Sequence, residues 1–128
     1  MADITALQQL YVDELKDLWS ANEQMARALK KISPQATNSK VKSLLDSSPA
    51  GINKHTELLK KLIEAQKESV SKEHCKGMEG LAAEAIKHTI DEAPAKGAVL
   101  DAAIIAQYQR MTHYGITGSG RSRPSRVL

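Results

Sequence analysis

The 128-residue sequence contains no phenylalanine, and aromatic residues make up only 3% of it. Because strands favour aromatic and β-branched side chains, this scarcity argues against a β fold. The abundant Ala, Leu, Lys, Gln and Glu residues are strong helix formers. A chain of this length suits one domain with a real core. We therefore predict a single all-α domain.

Disulfides, membrane spans and secretion signals are missing as well. The single cysteine, Cys75, cannot form an internal disulfide, which favours a reducing compartment. No apolar run approaches the roughly 20 residues that a membrane span needs. The N-terminus, with its acidic Asp3, lacks the pattern of a signal peptide. We expect a cytoplasmic protein with no membrane partner.

The sequence also has little surplus charge. Its formal net charge is +3, but Arg121, Arg123 and Arg126 lie in the last eight residues. Residues 1–120 therefore carry fifteen basic and fifteen acidic residues. Nucleic-acid binding needs clustered positive charge, so we expect no nucleic-acid partner.

The most prominent pattern in the sequence is helical periodicity. A first helix is predicted from a cap at Asp3 to Ser33-Pro34, because a residue before proline resists the helical conformation. Its stripe has spacings of three and four residues. It consists of Ile4, Leu7, Tyr11, Leu15, Leu18, Asn22, Met25, Leu29 and Ile32. Asn22 is interpreted as partly exposed or register-setting, with a hydrogen-bonding or ligand role as the alternative.

A second helix is predicted from Thr37 or Asn38, with a kink or break between Asp46 and Pro49. Its stripe is Val41, Leu45, Ser48, Ile52, His55, Leu59 and Leu62. His55 on such a stripe more often bonds a neighbouring group than a metal, although both interpretations remain open.

Two further helices follow a polar connection at 68–72. The third reaches towards Pro94 and has a stripe of small residues: Met78, Ala82, Ala85 and Thr89. The fourth, Gly97 to Gly118, is the most apolar segment. Its stripe is Leu100, Ile104, Gln107 or Tyr108, Met111 and Tyr114. We predict a folded domain at 1–118 and a disordered basic tail at 119–128.

Catalytic and metal-binding motifs are weak. Di-metal bundles use Glu ligands and Glu-x-x-His pairs, yet the sequence contains no Glu-x-x-His. The inward positions Asn22, Ser48, His55 and Thr112 offer few anionic ligands. Cys75 and His74 are adjacent, so on a helix they point in different directions, which disfavours a nucleophile pair.

Three segments resemble the YciE/YciF-type ferritin-like proteins, a bacterial, stress-associated family with a rubrerythrin-like bundle. They are DELKDLWSANEQMARALKKI (13–32), CKGMEGL (75–81) and DAAIIAQYQRMTHYGI (101–116). The resemblance extends over residues 1 to about 118 and implies an antiparallel bundle of about four helices. Family members continue with another long helix, for which this chain has no equivalent.

The resemblance also implies where a di-metal site would lie. The first Glu of the family falls on Asn22, beside Glu23, and the acids of helix two fall near Ala50 and Gly51. The last motif falls on residues 112–115, of which His113 and Tyr114 match. An altered metal ligand set would be drawn from His55, His113, Glu23, Glu79 and Glu84.

Two functions follow from these observations. The first is a bundle protein with a degenerate di-metal site and no cofactor, which acts by self-association or partner binding. For this protein we favour a non-enzymatic role over a catalytic one. The second is an iron-containing oxidase-like or iron-handling protein. Because the helix expected to cover the stripes is missing, we predict a homodimer or other homo-oligomer, with helix one or four against its copy.

Overall fold

The computed structural model describes residues 2–68 and 75–121, with side chains within 6–68 and 75–116. The chain forms an all-α bundle of four α-helices: α1 (Ala2–Ile32), α2 (Ser39–Ala65), α3 (Lys76–Ile86) and α4 (Ala98–Arg121). A short 3-10 helix, Ser33–Gln35, follows α1, and a π-helical turn, Lys87–Asp91, follows α3. The predicted fold class is confirmed.

α1 and α2 form an antiparallel hairpin. Leu15 and Leu18, in the first half of α1, pack with Leu59 and Ile63 near the end of α2. The chain reverses where Pro34 enters the 3-10 turn, as the Ser33-Pro34 stop predicted. α2 then begins at the predicted cap, because the Asn38 side chain accepts hydrogen bonds from the backbone N–H groups of Lys40 and Val41.

α2 is helical from Ser39 to Ala65 with Pro49 inside it, so of the kink or break predicted between Asp46 and Pro49, the break does not occur. A proline removes one N–H donor from the helical ladder. The hydroxyl of the preceding residue, Ser48, donates to the Leu44 carbonyl at 2.8 Å. Pro49 is itself buried in the packed face of α2, so packing favours the continuous helix.

The buried stripe of α2 shares three positions with the predicted one and is displaced by one residue at the others. Its members are Leu45, Pro49, Ile52, Thr56, Leu59 and Ile63, all buried except Ile52, which is half-buried. The predicted Leu62 is 38% exposed, while the neighbouring Ile63 is 0% exposed. Both stripes share Leu45, Ile52 and Leu59, so periodicity alone could not separate them.

The other predicted stripes are largely correct. Met78, Ala82, Ala85 and Thr89 are all buried, as are the α4 residues Leu100, Ile104, Gln107 and Met111. In α1 the buried part of the stripe runs from Leu15 to Ile32, whereas Leu7 is 65% exposed. Asn22 is only 8% exposed, so it is buried and not partly exposed as the preferred interpretation had it.

α4 runs antiparallel to α1. Its first turn reaches Thr37 through Asp101, and its later part reaches Asp17 through Tyr114. Before α4, Gly97 has a φ of 148°, a conformation that favours glycine. α4 ends at Arg121, three residues beyond the predicted domain boundary, so residues 119–121 are helical. The rest of the predicted tail, 122–128, lies outside the described residues.

Within the described residues, none of the helices has a segment long and apolar enough for a membrane span.

Candidate functional site

We call the strip of surface between α2 and α4 the groove. Both helices pack on α1 but make little direct contact with each other. Each carries a second stripe beside its buried one, spaced by four and three residues. The α2 stripe is Leu44, Ser48, Gly51, His55, Leu58 and Leu62. The α4 stripe is Ala98, Ala102, Ile105, Gln109, Thr112 and Ile116. We call these two stripes the groove stripes.

One hydrogen bond joins the two helices. The Ser48 hydroxyl of α2 and the Tyr108 hydroxyl of α4 lie 2.9 Å apart. Adjacent residues on a helix are about 100° apart. The α2 groove stripe is displaced from its buried stripe by one residue towards the N-terminus. The α4 groove stripe is displaced from Leu100, Ile104, Gln107 and Met111 by one or two residues towards the C-terminus. The two stripes are therefore rotated in opposite directions from the buried faces of two parallel helices.

A polar pair joins α1 and α2. The Asn22 amide nitrogen of α1 lies 3.0 Å from His55 Nδ1 of α2. If the amide donates, Nδ1 is the acceptor and the neutral imidazole carries its proton on Nε2. The predicted hydrogen bond between His55 and a neighbouring group is therefore confirmed. For Asn22, the alternative hydrogen-bonding role is the one observed.

Two buried acceptors on α4 have no hydrogen-bond partner in the described part of the chain: Gln107 Oε1 and Thr112 Oγ1. Gln107 is 5% exposed, and Thr112 belongs to the groove stripe of α4. Buried polar atoms are usually paired with protein or water. Both atoms can therefore form a further hydrogen bond, to water or to another molecule.

The five candidate metal ligands are dispersed over four helices. Glu23 is half-buried on α1, His55 bonds Asn22, and Glu79 and His113 are exposed on α3 and α4. Glu84 forms a surface pair with His88, 2.9 Å between Oε2 and Nε2. Among residues 2–68 and 75–121, no three His, Cys, Asp or Glu side chains are grouped as ligands of one metal ion.

A separate buried network surrounds Cys75. Its backbone N–H donates to Ser20 Oγ at 2.9 Å, and its carbonyl accepts from Gln24 Nε2 at 3.0 Å. Its sulfur caps α3 by accepting from the Met78 N–H at 3.5 Å. Tyr114 Oη of α4 lies 3.1 Å from the sulfur. The network therefore joins α1, the start of α3 and α4.

The electrostatics of this network oppose nucleophilic chemistry. Burial raises the pKa of the Cys75 thiol, and the hydrogen bond between Cys75 and Tyr114 lowers it by less. The hydrogen bond to Cys75 and burial raise the pKa of Tyr114. A reactive cysteine needs a lowered thiol pKa, so the geometry favours a structural thiol. The adjacent His74 lies outside the described residues.

Asp101, which the sequence analysis did not single out, fixes α4 to the start of α2. Its carboxylate accepts from the Thr37 hydroxyl at 2.6 Å, the Thr37 N–H at 2.8 Å and the Asn38 N–H at 3.1 Å. These bonds, chiefly the one from the Thr37 side chain, lower the pKa of Asp101. The sequence shows that Asp101 lies in the first turn of the fourth helix and that residues 37–38 are helix caps. It does not show that these two parts of the chain lie close together in the fold.

Comparison with known proteins agrees with this architecture. The model of the family described as "Domain of unknown function (DUF892)" matches residues 6–121, nearly the whole described chain. The protein belongs to the DUF892 family. Protein YciF of Escherichia coli K12 is 28% identical over 119 residues, which are 92% of this chain and 70% of YciF. The resemblance to YciF-type proteins is therefore confirmed.

Two solved structures are similar over 90% of this chain and 72% of theirs. YcfI of Rhodopseudomonas palustris, provisionally described as a structural protein, has a TM-score of 0.82 at 33% identity. The E. coli stress protein YciF has a TM-score of 0.81 at 28% identity. Both relatives thus contain residues that have no counterpart in the matched region.

Proposed function

We propose that this DUF892 protein is a non-enzymatic, ferritin-like bundle that binds another protein surface along the groove, in a stress-related role. The observation that carries the proposal is the groove itself. Its two stripes include exposed Leu44, Leu58 and Leu62 on α2 and exposed Ile105 and Ile116 on α4. Exposed large apolar side chains on neighbouring helices are a feature of interaction sites.

The chemistry of the groove supports binding over metal catalysis. Two divalent cations in a bundle need several carboxylates. The polar residues Asn22, Ser48, His55 and Thr112 include no carboxylate, and Asn22 and His55 already bond each other. The stress role is supported by the likeness to the E. coli stress protein YciF. Cytoplasmic location stays an expectation from the sequence.

Metal analysis separates this proposal from the iron-handling alternative. The protein is expressed with added iron, purified without chelators, and analysed for iron, manganese and zinc. We expect each metal to be well below one ion per chain, because residues 2–68 and 75–121 contain no group of three His, Cys, Asp or Glu side chains placed to hold one ion. Two tightly bound ions per chain would overturn the proposal and favour a ligand set that includes His55, His113, Glu23, Glu79 and Glu84.

Photo-crosslinking in cells tests the binding role itself. A photoreactive amino acid replaces Leu44 or Leu62 in the α2 groove stripe, with replacement of exposed Glu64 as the matched control, because Glu64 lies on another face of α2. We expect a discrete protein adduct from the groove positions and none from the control. Equal labelling at all three positions, or none at the groove, would contradict a groove-specific partner.

A further inference from the structure

We propose that a cavity at the corner between α1 and α2 binds a small organic carboxylate with an apolar body. The cavity has a volume of about 260 Å³. It is lined by the end of α1, the 3-10 turn and one face of α2: Lys30, Ser33, Pro34, Lys42, Leu45, Asp46 and Pro49. On α2, Lys42 and Asp46 flank the buried stripe on the side opposite the groove stripe. The cavity is therefore separate from the groove and from the function proposed for it.

The charges that line the cavity favour an anion. In the described part of the chain, neither the Lys30 nor the Lys42 ammonium group forms a hydrogen bond or an ion pair. The one acid of the lining, Asp46, instead accepts a hydrogen bond from the hydroxyl of Ser33, a residue that is only 5% exposed. The lining thus has one net positive charge, and both ammonium groups are available to a bound carboxylate.

The surroundings of the cavity strengthen this preference. Residues 24–45 include no acidic residue and five basic ones: Arg27, Lys30, Lys31, Lys40 and Lys42. Asp101 reaches the same corner, but its carboxylate already accepts from Thr37 and Asn38. A concave surface lined by one sign of charge raises the local concentration of oppositely charged ligands. The corner therefore attracts anions although residues 1–120 are neutral as a whole.

The rest of the lining selects a ligand with an apolar part. Leu45 is 1% exposed and Pro49 is buried, so packing of the bundle holds this wall of the cavity in place. Pro34 adds a second rigid ring and, like Pro49, has no backbone N–H to donate. Small-molecule sites typically combine apolar walls with a few polar groups that fix the orientation. An inorganic anion would meet the lysines but leave the apolar wall without a partner.

The volume of the cavity limits the ligand to a small molecule. A water molecule takes up about 30 Å³ in the liquid, so the cavity corresponds to on the order of eight or nine waters. A ligand with a similar number of non-hydrogen atoms fits this space. Benzoate is a suitable probe, because it joins one carboxylate to a flat apolar ring of this size. A ligand of so few atoms in an open site binds weakly, and we expect a dissociation constant of about 1 mM.

NMR titration of the ¹⁵N-labelled full chain with benzoate, at neutral pH and low ionic strength, tests the site. Backbone amide shifts should cluster at residues 30–33 and 42–46 and give the millimolar dissociation constant. Benzyl alcohol has the ring without the charge, and acetate has the charge without the ring. Each should bind about tenfold more weakly than benzoate, because each lacks one of the two contacts.

Variants of the lining test the role of each charge. Lys30→Met and Lys42→Met keep the apolar stem and remove the ammonium group, so each should weaken benzoate binding by about threefold or more. Asp46→Asn should strengthen binding by about twofold or more, because it removes the negative charge and keeps an acceptor for Ser33. Lys40→Met is the matched control. Lys40 is exposed and lies about 200° around α2 from Lys42, so its loss should leave the affinity nearly unchanged.

The contrary outcomes are equally specific. The inference is overturned if benzoate at tens of millimolar shifts no amide, or if the shifts centre outside the cavity. Equal affinity for benzyl alcohol or acetate would overturn the combined requirement for charge and apolar body. An effect of Lys40→Met as large as that of Lys42→Met would show attraction to the net charge rather than to this cavity. None of these results bears on the groove, whose crosslinking experiment tests the proposed function separately.

Discussion

Replacing Gly77 by alanine should destabilise the protein through Tyr114. An alanine Cβ at this position would lie 2.6 Å from Tyr114 Oη and 2.9 Å from two ring atoms. Such contacts are shorter than van der Waals distance, so the ring has to move. Its movement would disturb the hydrogen bond to Cys75 Sγ, which is 3.1 Å long. The glycine is thus required by close packing between α3 and α4.

The magnitude follows from two opposing effects. Crowding of a packed site costs about 1–3 kcal/mol, and the weakened hydrogen bond is part of that cost. Alanine is preferred over glycine within a helix by up to about 1 kcal/mol, although Gly77 lies in the first turn, where the gain is smaller. We expect Gly77→Ala to lower the free energy of unfolding by about 1–2 kcal/mol.

Gly80, one turn later on α3, is the matched control. A Cβ there would have no heavy atom within 4 Å, so only the helix preference acts. Gly80→Ala should raise the free energy of unfolding by about 0.5–1 kcal/mol. Denaturant unfolding followed by circular dichroism measures both variants. In a Tyr114→Ala background, Gly77→Ala should lose its cost, because the crowded ring is gone. The reasoning is refuted if Gly77→Ala stabilises the wild-type chain as much as Gly80→Ala does.

Three further outcomes are expected. Hydrogen bonds lower the pKa of Asp101 in the folded state, so its carboxylate stabilises the protein above the pKa of the unfolded state, and this contribution is lost as pH falls through the folded-state pKa. Asp101→Asn should therefore destabilise at neutral pH and have less effect in acid; a pH-independent difference in urea unfolding would contradict this. His55→Leu should lower the free energy of unfolding by about 1–2 kcal/mol, because it leaves the Asn22 amide buried without its partner. Adding Asn22→Leu should recover much of that loss. A single variant that is more stable than the wild type would mean that the pair is dispensable. The Cys75 thiol, 2% exposed and with a pKa raised by burial, should react with a thiol reagent at neutral pH only after unfolding in urea, and equal rates in native and unfolded protein would exclude a closed site.

Local features of the sequence determined the helices. Scarce aromatics and strong helix formers predicted an all-α chain, and the Ser33-Pro34 stop and the Asn38 cap located the turn between α1 and α2. The buried stripes of α3 and α4 followed from periodicity. These features act within a few residues, because capping and helical periodicity depend on neighbours along the chain. Family membership was also recognisable from the segments at 13–32, 75–81 and 101–116.

Tertiary packing decided the features that join distant residues. α2 carries two overlapping stripes that share Leu45, Ile52 and Leu59, and only contact with α1 determines that Ile63 is buried and Leu62 exposed. Packing also favours a helix that continues through Pro49, because that residue contributes to the buried face. The contact of Asp101 with Thr37 spans 64 positions, and that of Tyr114 with Cys75 spans 39. Such pairings depend on how the helices assemble, and periodicity within a single helix contains no information about them.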